Sequence, residues 1–156
     1  MKYSRQAIVH SGALLKLFQD YKDRVDFLVV YLLEAHPSDG WSLGAHYSFL
    51  SKHKTLEDRL EAARTMMELD NHKTFTTDIK DDSRVRMVID NMNDDFSLLY
   101  ESVPDRAFIF KDGKIAFVGR TISQQVQPSE VNTLMTDELR RWLGRHFKTS
   151  RSCSIV

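Results

Sequence analysis

The stretch FLVVYLLEAHPSDGW (residues 27–41) passes from seven continuously apolar residues into a segment that crowds a glutamate, a histidine, an aspartate and a tryptophan into eight positions. An apolar run this short, rich in valine and tyrosine, predicts a strand covered on both faces and hence a parallel, central strand. Pro37, Gly40 and Gly44 interrupt the chain beyond it, so Glu34 through Trp41 belong to the strand's carboxyl end and the loop after it. Open α/β sheets hold their ligands there.

The remainder of the chain predicts the elements around that strand. Leu14, Leu15, Leu17, Phe18 and Tyr21 share one face of a first helix, with Lys16, Asp20, Lys22 and Asp23 filling most of the rest. Thr55 with Asp58 three residues on is a weaker form of the capping box, and it opens a second helix with Leu56, Leu60, Ala63, Met66 and Met67 in helical spacing. HKTFTTDIKDDSR (72–84) has no clear period and reads as a surface loop or irregular insertion. RVRMVID (84–90) is a further strand and DDFSLLYE (94–101) a short helix. RAFIF and KIAFV flank an Asp112-Gly113 turn, the strongest short-range hairpin signal. Val131, Met135, Leu139, Trp142 and Leu143 line a last helix with Ser129 as its cap. The order is α/β: helix, strand, helix, strand, short helix, antiparallel hairpin, helix.

Composition narrows the function classes. The 156 residues carry 42% apolar and 28% charged side chains, which suits a single domain over 1–150 with a short flexible tail at 151–156. Lys plus Arg and Asp plus Glu both total 22, so no overall basic field exists to hold nucleic acid or an anionic membrane. With no apolar run of bilayer length, the chain as written is expected to be cytoplasmic, with membrane attachment only through an anchor upstream of Met1. The single cysteine, Cys153, excludes internal disulfides and cysteine-based metal clusters. Its setting CSIV faintly matches a prenylation box or a terminal PDZ ligand.

Glu34 and His36 alternate along an extended segment, so both side chains can face one side, where a carboxylate raises an imidazole's proton affinity and fixes its tautomer. Such a pair suits proton delivery. The structural alternative has Glu34 capping the loop and His36 bonded to a backbone carbonyl. Tyr31 is a proton-relay candidate or a core ring, and Trp41 walls an aromatic ligand or closes the core. His46 adds a third imidazole near His36 and His53, but without nearby cysteines no metal is expected.

The element order resembles the thioredoxin-like fold, a mixed central sheet flanked by helices, with its first strand missing or shortened. Pro104 stands where that fold places a proline, commonly cis, before the hairpin. Six blocks in order, DFLVVYLLEAHPSDGW (26–41), LEDRLEAAR (56–64), VIDNMND (88–94), PDR (104–106), GKIAFVG (113–119) and ELRRWL (138–143), resemble the catalytic domain of the iodothyronine deiodinases. The resemblance implies a membrane-tethered, often homodimeric selenoenzyme that removes iodine from thyroid hormones by reductive dehalogenation, with a thiol reductant as cosubstrate and no other cofactor. It also implies proton supply by Tyr31, Glu34 and His36, and hormone binding by His53.

The chain departs from the family at several points. Leu33 stands where the family usually has a second glutamate, and RTISQQVQPS replaces the glycine-rich loop in which Arg120 would contact hormone. An ungapped register puts Ser4 at the selenocysteine position, a match of position only. A serine hydroxyl lacks the polarisable, readily ionised chalcogen that captures iodine, so the chain as written is expected to be inactive. The competing class is a noncatalytic module that binds an aromatic ligand or a protein partner through the same cleft. The fold's missing strand lies between the strands of Val29 and Phe108, so two edges are expected to lack partners unless QAIVH (6–10) forms a shortened strand with Ser11 and Gly12 as its turn.

Overall fold

A computed structural model describes residues 4–34, 36–45, 48–103, 105–120 and 135–147, with the side chains of those from residue 12 onward except 135. The chain forms two compact units, Met1–Pro104 and Asp105–Val156. The first contains α1 (Ser4–Tyr21), β1 (Leu28–Tyr31), α2 (Leu56–Leu69), β2 (Phe75–Thr76), β3 (Val85–Ile89) and α3 (Asp95–Tyr100). The second contains β4 (Phe108–Lys111), β5 (Lys114–Val118) and α4 (Met135–His146). This α/β arrangement is consistent with the thioredoxin-like fold.

In the first unit β3 alternates strictly. Val85 and Met87 are buried while Arg86 and Val88 are exposed, as a strand with one covered face requires. The covered face meets Phe18 of α1 and Ala63 of α2, and Phe75, Val29, Tyr31, Met66 and Ile89 complete the cluster. Burying rings such as Phe18 and Phe75 contributes roughly 2 kcal/mol each. The capping box of α2 is formed: Thr55 Oγ1 accepts from the Asp58 amide at 3.2 Å, and Asp58 Oδ2 accepts from the Thr55 amide at 2.9 Å.

Three expectations change. β1 pairs with β3 in parallel, Leu28 opposite Arg86 through Tyr31 opposite Ile89, yet the sheet order is β1-β3-β2, so β1 is an edge strand and β3 is the central one. Leu28 is 57% exposed, so the strand is not covered on both faces either. Hydropathy reports which side chains can be buried, whereas backbone pairing decides which strand has two neighbours. Within 72–84, Phe75 and Thr76 form a strand that pairs with Val85 and Arg86. Two residues are too few to show a period, and the buried carboxylate of Asp70 sets them by accepting from the amides of His72 at 3.0 Å and Thr74 at 2.6 Å. Residues 6–10 lie inside α1, which excludes the shortened strand. Gly12 is helical as well, and a Cβ there would stand 2.9 Å from His72 Nε2, so close approach rather than a turn accounts for the glycine.

The second unit carries the hairpin as its own antiparallel sheet, with Phe108 opposite Val118 and a bulge at Ile109/Phe110. Asp112 and Gly113 have φ of 53° and 72°, the left-handed pair of a type I′ turn. Trp142 and Leu143 of α4 are buried, and the Trp142 ring stacks on His146 at 3.7 Å. The parallel and antiparallel strands thus belong to separate hydrogen-bonded sheets, as the missing-strand argument expects. Pro104, Ser129, Val131 and Cys153 lie outside the described residues, as does the tail at 151–156. No helix among the described residues is long and apolar enough to cross a membrane.

Candidate functional site

The carboxyl end of β1 opens onto a hollow of about 440 Å³. Leu33, Pro37, Trp41 and Met92 supply its apolar lining, and Glu34, Lys52, His53, Arg59 and Asp94 its charged and polar one. Sequence placed the site there because β1 is parallel, and the loop chemistry closes it. The Ser38 amide donates to the Leu50 carbonyl at 2.7 Å and the Lys52 amide to Asp39 Oδ1 at 2.7 Å, folding the segment after β1 back so that His53 returns to the strand's end. There the rings of Tyr31 and His53 lie 5.9 Å apart, tilted by 36°.

Glu34 and His36 realise the structural alternative. Glu34 Oε1 accepts from the His36 backbone amide at 3.4 Å, and His36 Nδ1 bonds the Trp41 carbonyl at 3.2 Å. That alternative does not remove the chemistry. A carbonyl oxygen only accepts, so Nδ1 carries the hydrogen and the ring's tautomer is fixed. His36 is buried, and its ring meets the Trp41 ring edge-on at 4.8 Å. Trp41 itself is 75% exposed, so it does not close the core.

The titratable groups are tuned mainly by burial. Burial pushes the Tyr31 hydroxyl far up, Glu34 adds to the shift and Arg59 opposes it, so Tyr31 is a neutral donor. Burial also raises the Glu34 carboxyl, against the His36 amide that favours its ionised form. His53 is held below the usual imidazole range by burial first and by the Arg59 guanidinium second, with Asp58 and Asp94 opposing. Neither His53 ring nitrogen has a hydrogen-bond partner among the described residues.

Sequence reasoning misses Arg59, although a signal for it exists. It stands on the apolar stripe of α2, three residues after Leu56 and four before Ala63, where a charge must be buried or bent outward. It is 3% exposed and ties α2 to the end of β3. Its Nη1 donates to the carbonyls of Asp90 at 3.2 Å and Asn91 at 2.5 Å, and its Nη2 to Asp94 Oδ1 at 2.8 Å. Asp94 meets it from a left-handed backbone conformation, φ 58°, which aspartate tolerates better than most residues.

Ser4, Arg120 and His46 complete the sequence candidates. Ser4 is the first residue of α1, and its side chain lies outside those described. Arg120 belongs to the second unit, where its Nε donates to Glu138 Oε1 at 2.8 Å and its amide to Glu138 Oε2 at 3.2 Å. His46 lies outside the described residues, and among those described no group of three His, Cys, Asp or Glu could hold a metal ion.

A match to the iodothyronine deiodinase family spans residues 7–146. The chain belongs to that family. It is similar to type I iodothyronine deiodinase of Xenopus laevis, 31% identical over 124 residues, covering 80% of this chain and 44% of the relative. Similarity to the thyroxine 5-deiodinase of Sparus aurata is 33% over 136 residues, 86% of this chain and 43% of the relative. With the type II enzyme of Fundulus heteroclitus it is 36% over 115 residues, 72% of this chain and 40% of the relative. The chain therefore spans about two-fifths of the length of these relatives. Every residue of the hollow falls within the family match.

Proposed function

We propose that this chain holds an iodothyronine-type ligand in the hollow at the end of β1 and, as written, does not deiodinate it. The observation that carries the reading is the Tyr31–His53 ring pair beside an apolar wall that includes an exposed Trp41, in a chain of the deiodinase family. An iodinated aromatic ring suits such a wall, and His53, without protein partners, is free to bond its polar end.

Reductive deiodination replaces a carbon–iodine bond by a carbon–hydrogen bond. A chalcogen takes the iodine, the bonding electron pair stays on carbon and carbon takes a proton; one thiol then displaces iodide from the chalcogen and a second releases the chalcogen, the two thiols leaving as a disulfide. Tyr31, Glu34 and His36 fit the proton delivery: burial biases Glu34 toward its protonated form, and the Trp41 carbonyl fixes the His36 tautomer. Ser4 at the nucleophile position does not supply the chalcogen. Arg120 is a ligand contact in this reading only if it leaves Glu138. The reading carries over from the family a thiol cosubstrate and a homodimer, with membrane attachment only through an anchor upstream of Met1.

The test is calorimetric titration of the purified chain with thyroxine, alongside iodide release in the presence of a dithiol. Saturable binding without iodide is expected. Absence of binding contradicts the ligand assignment, and iodide release abolished by Cys153→Ser contradicts the inactivity.

A further inference from the structure

Arg59 brings a fixed positive charge into the hollow with its hydrogen-bonding capacity only partly used. Nη1 is satisfied by two carbonyls and Nη2 by Asp94, while Nε–H is buried with no partner among the described residues. His53, which lines the same hollow, has two unpartnered ring nitrogens, one of them a donor in the neutral form. Two unpaired buried donors are costly unless an acceptor meets them, and a charged acceptor meets them about twice as strongly as a neutral one. A second hollow of about 390 Å³, lined by Asp23, Asp26, Asp81 and Asp82 against Lys22, Arg84 and Arg86, offers no such buried unpaired donors among the described residues.

We propose that Arg59, with His53, makes the hollow select the ionised form of its ligand, one that presents an anionic oxygen to the guanidinium. The inference rests on the ligand reading above and narrows it. A phenol acidified by iodine beside its hydroxyl supplies such an oxygen near neutral pH, as does a carboxylate. Asp94, held in its left-handed conformation, is the positioning residue that keeps the guanidinium in place. The charged and titratable groups around the contact are Tyr31 and Glu34 from the end of β1, Lys52 and His53 from the loop, Asp58 and Arg59 on α2, and Asp94 before α3. Burial favours the protonated form of Glu34, which reduces the repulsion that an entering anion meets.

The experiment is calorimetric titration of the full chain with three probes. Ortho-diiodophenol ionises readily, ortho-dimethylphenol has similar bulk but stays neutral, and benzoate is a carboxylate without a phenol. Ortho-diiodophenol is expected to bind the wild type at least about tenfold more tightly than ortho-dimethylphenol, the scale of one charged hydrogen bond. That advantage should vanish in Arg59→Gln, persist largely in Arg59→Lys, and fade in the wild type as pH drops below the phenol's own pKa. Benzoate binding more tightly than ortho-diiodophenol, with the same Arg59 dependence, supports the anionic contact and assigns the oxygen to a carboxylate. Equal affinity for the two phenols, or an undiminished advantage in Arg59→Gln, overturns the inference and leaves the aromatic pocket standing. If no probe binds, both readings fall. Should Arg59→Gln not fold, as circular dichroism would show, the wild-type pH series and Arg59→Lys decide.

Discussion

Two histidines stand at the end of β1 in opposite states. His36, in the loop after the strand, is buried and anchored through Nδ1 to the Trp41 carbonyl. His53, in the loop before α2, is half-buried beside Tyr31, and neither of its ring nitrogens has a protein partner. The contrast shows how one site divides its work. An anchored imidazole has a fixed tautomer and orientation, which proton transfer needs; an unanchored one keeps its hydrogen-bonding capacity for a ligand.

Removing each histidine should break the symmetry in a defined way. His36→Ala is expected to destabilise the chain by about 2 kcal/mol, because it opens a cavity and leaves the Trp41 carbonyl without that partner. Urea denaturation measures it, and a loss no larger than that of His53→Ala would contradict the difference. His53→Ala should leave stability within about 0.5 kcal/mol but weaken thyroxine binding roughly tenfold, the scale of one hydrogen bond to a charged group. Unchanged affinity would remove His53 from the ligand contact.

Glu34 sharpens the comparison through pH. Its folded-state pKa is raised, so the native state binds its proton more tightly than the unfolded chain. The stability this confers is present below the ordinary carboxylate value and is lost as pH rises through the raised one. Glu34→Gln keeps an acceptor for the His36 amide while removing the buried charge. It should raise the thermal midpoint at neutral pH, with the gain vanishing on acidification. A midpoint unchanged at neutral pH would mean that the carboxylate is not destabilised there. The smallest effect is expected for Trp41→Ala, within about 0.5 kcal/mol in stability because the ring is 75% exposed. A larger loss would make Trp41 a structural residue.

Much of the frame around this contrast is legible in the sequence alone. The Thr55–Asp58 cap and the Asp112-Gly113 turn are local signals whose physics is complete within a few residues, and both form as read. The apolar run 27–33, by contrast, gives a parallel strand but not the central, covered one expected. The features that escape the sequence depend on partners distant along the chain. β2 exists because Phe75 meets Val85 and because Asp70 fixes the amides before it, neither of which leaves a period. β1 is an edge because pairing, unlike burial, has no hydropathy signature. Arg59 reads as one more charge on a helix until Asp90, Asn91 and Asp94 close around it from some thirty residues away. The bond from the His36 amide to Glu34 is equally beyond spacing alone, since spacing gives the side of a strand and not the rotamer.

The most direct test of this division of labour is nuclear magnetic resonance of the histidine ring nitrogens during titration with thyroxine. The His53 resonances should shift saturably, while His36 keeps its hydrogen on Nδ1 throughout. Saturation with His53 unmoved, or with His36 exchanging tautomers as the ligand binds, would contradict the account.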